Sequence, residues 1–345
     1  MRSIQLIGPR ILEEREMPMV RDPGAGEVLV KVRAVGICGS DLHWYLDSRI
    51  GLAQARYPQV LGHEPVAEVI GIGKDVRSFA VGDRVVLEPN LTCGHCEYCM
   101  SGRHNNCPHG EFLGSPQSPG FFREYVTLPA HNAILVPPTL SDEQATLVEP
   151  LAVMMHILEL IEIRLGDTVA ILGSGPIGML FAATARTAGA QRIFIADRVP
   201  HRLDLAKKMG ADVTIHTERE NFAEAVMDQT KGRGVDLAVD AAGDVGLINL
   251  ALEVTRPTGT VVLIGIANEL TSPINLHAAM NKELRIQTVR RSNHRSQAAL
   301  ELMESGQAPA ALITHKLPLA ETPRGFEMLS NYSDGVGKVV IEVGR

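Results

Sequence analysis

The pattern of apolar and polar positions divides the chain into two kinds of sequence. Up to about residue 148, short Val-rich runs bounded by Gly and Pro predict strands over 27–35, 66–71 and 83–87. From about residue 167, apolar runs of strand length alternate with helical stretches. Such alternation is typical of right-handed βαβ units around a parallel sheet. We therefore expect an α/β protein in which a mainly β module precedes a doubly wound sheet.

The second half of the chain carries the strand signal six times. The runs are 168–172, 192–196, 213–215, 237–240, 260–264 and 284–289. Six parallel strands make a complete dinucleotide-binding fold. The tail over 338–343 has a strand pattern again, and we expect it to return to the first module. These signals predict a first domain at 1–150, a second at 151–288 and the return at 289–345.

A glycine-rich turn follows the first of these strands and precedes a predicted helix over 179–186. The turn, Gly173-Ser174-Gly175-Pro176-Ile177-Gly178, matches the pattern G-x-G-x-x-G. Glycines there permit close approach to a pyrophosphate, and the helix N-terminus attracts the phosphates. Asp197, at the end of the next strand, is placed to bind an adenosine ribose, which favours NAD over NADP. Arg198 offers a 2′-phosphate an alternative partner, and Arg202 lies where it would cover the adenine.

The composition is that of an ordinary globular protein. Hydrophobic residues make up 45% and charged residues 21% of the chain, and the net charge is −7. Because there is no long basic stripe, a nucleic-acid partner is not expected. The first residues lack the apolar stretch of a secretory signal, and no run is long enough to cross a bilayer. We therefore expect a cytoplasmic protein without a membrane partner.

Four of the five cysteines fall in one strand-poor stretch, 88–120. They are Cys93, Cys96, Cys99 and Cys107. Thiolates with the spacing C-x2-C-x2-C-x7-C enclose one zinc ion and leave no open position, which predicts a structural site. The alternatives are disulfides or a redox C-x-x-C pair, and an odd number of cysteines in a reducing compartment disfavours disulfides. We expect His95 and His104 to face solvent, because four sulfurs already complete the shell.

The fifth cysteine, Cys38, follows a predicted strand, whereas His63 and Glu64 precede another. A thiolate, an imidazole and a carboxylate give zinc three ligands and leave a position for water or substrate. Zinc in such a site polarises a bound hydroxyl, and a nicotinamide accepts the hydride. Alone, Cys38 is typical of a small buried hydrophobe and His63 of a structural histidine. In a chain with a zinc lobe and a nucleotide turn, they predict a catalytic centre.

Together these motifs resemble those of a known family. The runs Gly36-Ile37-Cys38-Gly39-Ser40-Asp41, Gly62-His63-Glu64 and Val148-Glu149-Pro150-Leu151, the four cysteines and the nucleotide turn are similar to those of the zinc-dependent medium-chain dehydrogenases of the alcohol dehydrogenase superfamily. The likeness spans essentially the whole chain and is greatest to the sorbitol (L-iditol) dehydrogenase branch. It implies a GroES-like catalytic domain, a Rossmann cofactor domain, two zinc ions per chain, and a homodimer or homotetramer.

The resemblance also implies roles for single residues. Glu149 lies by the catalytic zinc, either bound through its water or exchanging as a direct ligand. In alcohol dehydrogenases proper a second cysteine usually occupies that position. Ser40 contacts the reacting hydroxyl, and His43 passes its proton towards solvent. The competing interpretation makes Glu149 a helix cap and His43 the cap of a turn. The implied nicotinamide contacts are Ile264, Ile266 and Val289.

Substrate contacts are implied at Ser40, Trp44, Glu149, Arg290 and Asn293. The run Val289-Arg290-Arg291-Ser292-Asn293-His294-Arg295 is more basic than the Phe-Arg-Tyr type of the sorbitol branch, and Trp44-Tyr45 reverses the usual order. Extra guanidinium groups favour an acidic or phosphorylated sugar. A solvated cap on the following helix explains them equally well.

The sequence thus predicts an NAD-preferring zinc enzyme that moves a hydride between NAD and a secondary hydroxyl of a small polyol or sugar-derived substrate. An L-threonine 3-dehydrogenase would share Cys38 and the four cysteines, but that family usually has Thr where this chain has Ser40. A sugar-acid or sugar-phosphate dehydrogenase is a further alternative. A non-catalytic NAD-binding protein that kept the fold is the alternative of a different class, and an open metal site argues against it.

Overall fold

The computed structural model of the protein describes residues 1–307 and 309–344. The chain forms two compact units. The first combines Met1–Met155 with Arg291–Arg345, and the second is the continuous segment His156–Arg290. None of the helices over the described residues is both long and apolar enough to cross a membrane.

The N-terminal part of the first unit consists of short strands and short helices. Its strands are β1 Arg2–Gly8, β2 Ile11–Glu16, β3 Glu27–Gly36, β4 Arg49–Ile50, β5 Ala53–Gln54, β6 Gln59–Val60, β7 Glu64–Ile72, β8 Arg84–Leu87, β9 Asn90–Leu91, β10 Glu111–Phe112, β11 Tyr125–Pro129 and β12 Ala133–Leu135. Its helices are α1 Gly39–Asp47, α2 Glu97–Met100 and α3 Asp142–Ala145, with 3-10 turns at His104–Asn106 and Ala130–Asn132. Helix α4 Val148–Leu160 begins in this unit and ends in the second. Gly and Pro between the Val-rich runs keep most of these strands short.

The second unit alternates strands and helices. Its strands are β13 Thr168–Leu172, β14 Arg192–Asp197, β15 Val213–His216, β16 Val235–Asp240, β17 Thr255–Leu263 and β18 Arg285–Thr288. Its helices are α5 Pro176–Thr187, α6 Pro200–Lys208, α7 Phe222–Gln229, α8 Val245–Val254 and α9 Leu276–Asn281. The strands are parallel in the order β15-β14-β13-β16-β17-β18, so the order reverses beside β13. Open sheets of this kind bind ligands at the carboxyl ends of the strands near that reversal.

The chain then returns to the first unit through α10 Ser296–Leu302, a π-helical turn Met303–Gln307, 3-10 turns Ala310–Leu312 and Leu319–Glu321, β19 Ile313–Pro318, α11 Thr322–Asn331 and β20 Lys338–Glu342. β20 pairs in parallel with β19 and antiparallel with β3. The main sheet of this unit therefore runs β12-β8-β7-β3-β20-β19, with β11 also paired to β3. The last strand of the chain is thus an internal strand of the first unit's sheet.

Each unit has its own apolar core. In β3 alternate residues are buried over most of its length, as expected for a strand with one face against a core. Phe121, Phe122 and Phe326 are the large fully buried rings of the first core. The second core combines aliphatic side chains of the parallel strands and of the helices packed on them with the rings of Phe194 and Phe222. A mainly β unit and a doubly wound parallel sheet confirm the predicted fold class.

Candidate metal centres and nucleotide site

The ligand atoms of Cys38, His63 and Glu64 all lie within 4.8 Å of one another. The pairing of β3 with β7 explains why, since Gly36 at the end of β3 is opposite Glu64 at the start of β7. Cys38 follows β3 by two residues and forms the N-cap of α1. Two motifs that are far apart in the sequence therefore meet where these two neighbouring strands end and begin.

Gly36 is required at this point. A Cβ atom there would collide with a carboxylate oxygen of Glu64 and would lie 3.0 Å from Cε of Lys338. Gly62, which precedes the histidine, has a left-handed backbone with φ of 89°. Glycine is favoured at such a position because a side chain would strain it.

Asp41 orients the histidine. Its Oδ1 lies 3.4 Å from Nδ1 of His63, and it accepts hydrogen bonds from the N–H groups of Cys38 (3.0 Å) and Gly62 (3.1 Å). A carboxylate on one imidazole nitrogen leaves the other free for a metal. Burial alone would lower the pKa of His63, but Asp41 and Cys38 raise it well above its usual value. The position therefore favours a positive charge, as a zinc site requires.

A buried lysine completes the surroundings of the centre. Nζ of Lys338, in β20, lies 2.6 Å from Oε1 of Glu64 and also contacts Oε2. The two side chains are 1% and 0% exposed. Burial would lower the pKa of Lys338, but Glu64 and then Cys38 raise it. Lys338 is therefore a buried cation held against the donor Glu64. It was not predicted from the sequence.

Glu149, the second residue of α4, lies near the three donors but outside their cluster. Burial raises the pKa of Glu149 to about 7. The charge of Glu64 adds to the rise, whereas His63, Lys338 and Arg291 oppose it. A carboxyl group with this pKa accepts or releases a proton near neutral pH.

The residues expected around the reacting hydroxyl lie in different settings. Ser40 Oγ is 3.4 Å from Nε2 of His63, the nitrogen left for a metal. His43 is partly exposed on α1, with Nδ1 3.1 Å from a carboxylate oxygen of Asp47. Trp44 is 7% exposed and belongs to the apolar core of the first unit, so its position gives no support to a substrate contact.

The four remaining cysteines form a second cluster, which we call the cysteine lobe (residues 93–107). Sγ of Cys107 lies 3.5 Å from Cys93 and 3.9 Å from Cys96, and Cys93 lies 4.0 Å from Cys99. Zn–S bonds of about 2.3 Å in a tetrahedron require sulfurs about 3.8 Å apart, whereas a disulfide requires about 2 Å. The lobe therefore fits zinc, and all four cysteines are free of disulfides.

The two histidines of the lobe differ. His95 is exposed, as expected, with Nδ1 2.7 Å from the carbonyl oxygen of Cys93. The backbone N–H of the same histidine is the main cause of the lowered pKa of Cys93, about 6. His104 is partly buried, and its ring centroid lies 4.4 Å from that of His294. The expectation that His104 faces solvent was wrong, because the chain returning at residue 291 covers it.

A small pocket of the first unit opens beside Glu149. Its polar lining includes Glu88, His104, Arg291 and His294. The Arg291 guanidinium lies 4.0 Å above the ring of Phe112. Nη1 of Arg291 also donates to Oδ1 of Asn90 (3.3 Å), and Nδ1 of His294 is in close contact with Glu88.

The two implied substrate contacts in the basic run do not line this pocket. Arg290 is exposed and is the last residue of the second unit. Asn293 directs both atoms of its amide to backbone groups of the cysteine lobe. Arg291, which was not selected from the sequence, lines the pocket instead.

In the second unit the glycine-rich turn connects β13 to α5. Gly173 has φ of 101°, and a Cβ atom there would lie 3.1 Å from Cβ of Ala242. Gly175 is the N-cap of α5, with Pro176 in its first turn. A Cβ atom on Gly178 would collide with the carbonyl oxygen of Gly173. The turn thus presents the N-terminus of a twelve-residue helix at the carboxyl edge of the sheet.

Asp197, the last residue of β14, contacts this turn. Its Oδ2 accepts from the N–H (2.8 Å) and Oγ (3.1 Å) of Ser174, and its Oδ1 accepts from the N–H of Val199 (2.9 Å). The carboxylate is partly exposed, Arg198 is exposed, and Arg202 lies one turn into α6. The acidic group is therefore held at the position where a ribose is bound in this fold.

The expected nicotinamide contacts follow neighbouring strands of the same sheet. Ile264 and Ile266 come directly after β17, and Ile266 is 38% exposed. Val289 follows β18, and its N–H donates to the carbonyl oxygen of Leu263 (3.2 Å). All three lie at the carboxyl ends of parallel strands, which is also where the glycine-rich turn lies.

Comparison with known proteins agrees with this arrangement. Residues 24–138 match the model of the alcohol dehydrogenase GroES-like domain, and residues 176–305 match that of the zinc-binding dehydrogenases. Sorbitol dehydrogenase of Bacillus subtilis is 36% identical over 94% of this chain and 93% of its own. The chain belongs to the zinc-dependent medium-chain dehydrogenases. Its resemblance to the sorbitol branch of this family, expected from the motifs, is thereby confirmed.

Two other relatives of this dehydrogenase are similarly close. A probable D-xylulose reductase A of Arthroderma otae is 38% identical over 91% of this chain and 89% of its own. An alcohol dehydrogenase of Escherichia coli CFT073, solved with NADH, has a TM-score of 0.89 at 31% identity and covers 99% of both chains. These likenesses extend over nearly the whole chain and agree with its place among the zinc-binding dehydrogenases.

Proposed function

We propose that this dehydrogenase oxidises a secondary hydroxyl of a small neutral polyol with NAD, and that it also catalyses the reverse reduction. The observation that carries the proposal is the open donor set of Cys38, His63 and Glu64. Three protein ligands leave room for the substrate oxygen, whereas the four cysteines of the lobe leave none.

The residues around the centre have distinct parts in this reaction. Zinc, when bound, polarises the substrate hydroxyl and lowers its pKa. Cys38, His63 and Glu64 would hold it, and Asp41 keeps the imidazole nitrogen directed to it. Ser40 lies beside that nitrogen and would relay the hydroxyl proton, releasing its own proton as it accepts the substrate's, and His43 would take up the released proton and pass it towards solvent. Glu149 would lie beside the metal as a proton acceptor or exchanging ligand.

The charges of the pocket support a neutral substrate over a sugar acid or a sugar phosphate. Its two basic side chains already have partners, since His294 pairs with Glu88 and Arg291 donates to Oδ1 of Asn90. Arg291 is also stacked on Phe112. A carboxylate or phosphate would have to displace one of these interactions, whereas hydroxyl groups bind to them as donors and acceptors.

Asp197 supports NAD as the cofactor. A carboxylate accepts hydrogen bonds from a ribose diol and repels a 2′-phosphate. Pro176 and Ile177 at the start of α5, with Arg202 on α6, would surround the dinucleotide, and Arg198 is the group that would favour NADP.

Threonine oxidation and a non-catalytic role are less well supported. Ser40 stands where the threonine enzymes usually have Thr. A protein that only binds NAD has no use for an open metal site.

Free thiols in two metal-type clusters suit a reducing compartment, so we place the enzyme in the cytoplasm. We also expect a homodimer or homotetramer, because the edge strand β18 and α9 expose Ile286, Leu276 and Met280.

The test is a steady-state panel with the zinc-loaded enzyme. Sorbitol, xylitol, L-threonine, a sugar acid and a hexitol phosphate are compared with NAD and with NADP, and zinc is counted in the same preparation. We expect two zinc ions per chain and a kcat/KM for a neutral polyol with NAD at least about tenfold above every other combination, equivalent to about 1.4 kcal/mol. Preference for an anionic substrate would contradict the argument from pocket charge, and one zinc per chain would contradict the open centre.

A further inference from the structure

The segment 291–296, which precedes α10, has an unusual backbone beside the pocket. Arg291 has φ of 55° and His294 has φ of 53°. Residues with side chains rarely adopt this left-handed conformation, because it brings Cβ close to the backbone. Both side chains line the pocket that contains Glu149. A strained segment holds its shape only where other contacts fix it.

The residue between these two supplies such contacts. Nδ2 of Asn293 donates to the carbonyl oxygen of Gly102 (2.7 Å), and its Oδ1 accepts from the N–H of Asn105 (3.4 Å). Both backbone partners lie between Cys99 and Cys107, the last two cysteines of the lobe. The amide is thus joined to a stretch of chain that is closed at each end by a zinc ligand.

This stretch of the lobe is itself tied to the cysteines. The N–H of Gly102 donates to the carbonyl oxygen of Cys99 (3.1 Å), and the N–H of Cys107 donates to that of His104 (3.0 Å). The backbone groups that bind Asn293 therefore belong to a stretch that is hydrogen-bonded to Cys99 at one end and to Cys107 at the other. Between α2 and the 3-10 turn, these hydrogen bonds and the cysteines are what hold the stretch in place.

On the other side, the segment holds two pocket groups in place. The ring of His294 meets that of His104 edge to face at 78° and contacts Glu88. The guanidinium of Arg291 lies over Phe112, whose ring centroid is 5.3 Å from that of His63. Displacing the segment would move both cationic groups of the pocket without touching a ligand of the catalytic centre.

We propose that Asn293 is a positioning residue that fastens the segment 291–296 to the cysteine lobe, so that the lobe determines where Arg291 and His294 meet the substrate. The lobe then serves substrate binding as well as stability. The inference rests on the proposed function, since it concerns the polyol pocket. It gives Asn293 a part other than direct contact with the substrate, because its amide bonds to backbone groups of the lobe and Asn293 is not among the residues that line the pocket.

The experiment compares Asn293→Ala with the wild-type holoenzyme and with Ser101→Ala. The control removes a hydrogen bond within the lobe, from Oγ to the carbonyl oxygen of Tyr98 (3.2 Å), on an exposed side chain. Hydrogen exchange is measured in the peptide that covers 291–302, together with zinc content, KM and kcat for the polyol. Two hydrogen bonds are worth about 1.4 kcal/mol or more, so we expect at least about tenfold faster exchange of 291–296.

We further expect Asn293→Ala to raise KM about five- to tenfold, to change kcat less than about twofold, and to keep two zinc ions per chain, whereas Ser101→Ala changes none of these. Unchanged exchange in Asn293→Ala, or faster exchange with an unchanged KM, would overturn the inference. If Asn293→Ala does not fold, the isosteric Asn293→Asp, which replaces the donor to Gly102 by a carboxylate oxygen that repels that carbonyl group, is judged by the same criteria. If the wild type oxidises no polyol, the proposed function fails, and the exchange data still decide whether Asn293 fastens the segment.

Discussion

The two metal-type centres of the first unit are built in opposite ways. The cysteine lobe takes all four donors from fifteen consecutive residues, 93–107, on a stretch with little regular structure. The Cys38 centre takes its donors from the adjoining ends of two neighbouring strands, after β3 and at the start of β7, and has the buried charges of Asp41 and Lys338 beside it. We therefore expect the lobe to depend on metal for its shape, and the Cys38 centre to take its shape from the sheet.

This difference indicates what each centre contributes. A centre with identical soft donors and no open position organises the chain, and zinc binding is then largely folding free energy. A centre held by a sheet and by buried ion pairs keeps its geometry at low cost and can leave a coordination position for substrate. Exchanging one donor in each centre should therefore change different measured quantities.

The largest effect is expected on activity from Cys38→Ser. A hard hydroxyl in place of the thiolate weakens zinc binding, so kcat/KM should fall on the order of a thousandfold, because Lewis-acid stabilisation is worth several kcal/mol. The melting temperature should change by only a few degrees, since β3 and β7 still pair. Activity assays, zinc counts and calorimetry on one preparation measure this. Retention of full activity with one zinc per chain would show that the two centres have been assigned to the wrong roles.

Cys107→Ser should lower stability strongly and change the Cys38 centre little, the opposite of what we expect for Cys38→Ser. Loss of lobe zinc should lower the free energy of unfolding by about 4 kcal/mol, a fraction of the binding energy of a structural zinc site, while the Cys38 centre keeps its metal. Urea unfolding followed by zinc analysis gives both numbers. An equally stable protein with one zinc would mean that the loop over 88–120 is ordered by packing alone.

Lys338→Met tests whether the sheet-built centre depends on its buried cation. Removing one partner leaves the Glu64 carboxylate buried without compensation, which costs about 3 kcal/mol. The matched control is Lys316→Met, whose ion pair with Glu143 (2.7 Å) involves a lysine that is 52% exposed and should cost at most about 1 kcal/mol. The double variant Lys338→Met, Glu64→Gln should regain part of the lost free energy of unfolding. If the effects of the two substitutions simply add in a double-mutant cycle, Lys338 and Glu64 are not coupled.

The smallest effect is expected from the ion pair between His294 and Glu88, on the side of the pocket next to the lobe. Contact with Glu88 is the main cause that raises the pKa of His294 above its usual value of 6.5. The stabilising contribution is therefore full below pH 6.5 and is lost as the pH rises through the folded pKa of His294. We expect wild type to lose about 1 kcal/mol more than Glu88→Gln between pH 6 and pH 9, as measured by urea unfolding. Identical pH curves would show that the pair carries no charge.

Much of the fold could be read from the sequence because its signals are local. Strand runs and the glycine-rich turn predicted the doubly wound sheet, and the family comparison confirms it. The predicted strand bounds were least accurate at β17, which begins at Thr255 rather than at the predicted residue 260. Pro257 and Gly259 interrupt the apolar run there, and neither residue is typical of a strand interior.

The site was predictable only as far as its motifs are local. Cys38 and the pair His63 and Glu64 stand beside glycines at strand ends, and the pairing of β3 with β7 brings them together. Lys338 lies 274 residues from Glu64 in the chain, and no local pattern marks a lysine as buried. Similarly, the left-handed backbone at Arg291, rather than residue type, distinguishes it from Arg290.

The position of β20 bears on how the protein is made. The second unit, His156–Arg290, is continuous and has a core of its own, so it can become compact before the segment that carries β20 is synthesised. The first unit must wait, because the strand that neutralises Glu64 follows the whole of the second unit in the chain. A nascent chain released before β20 is made would carry an exposed sheet edge and a carboxylate without its cation, and both features favour aggregation and proteolysis over metal binding.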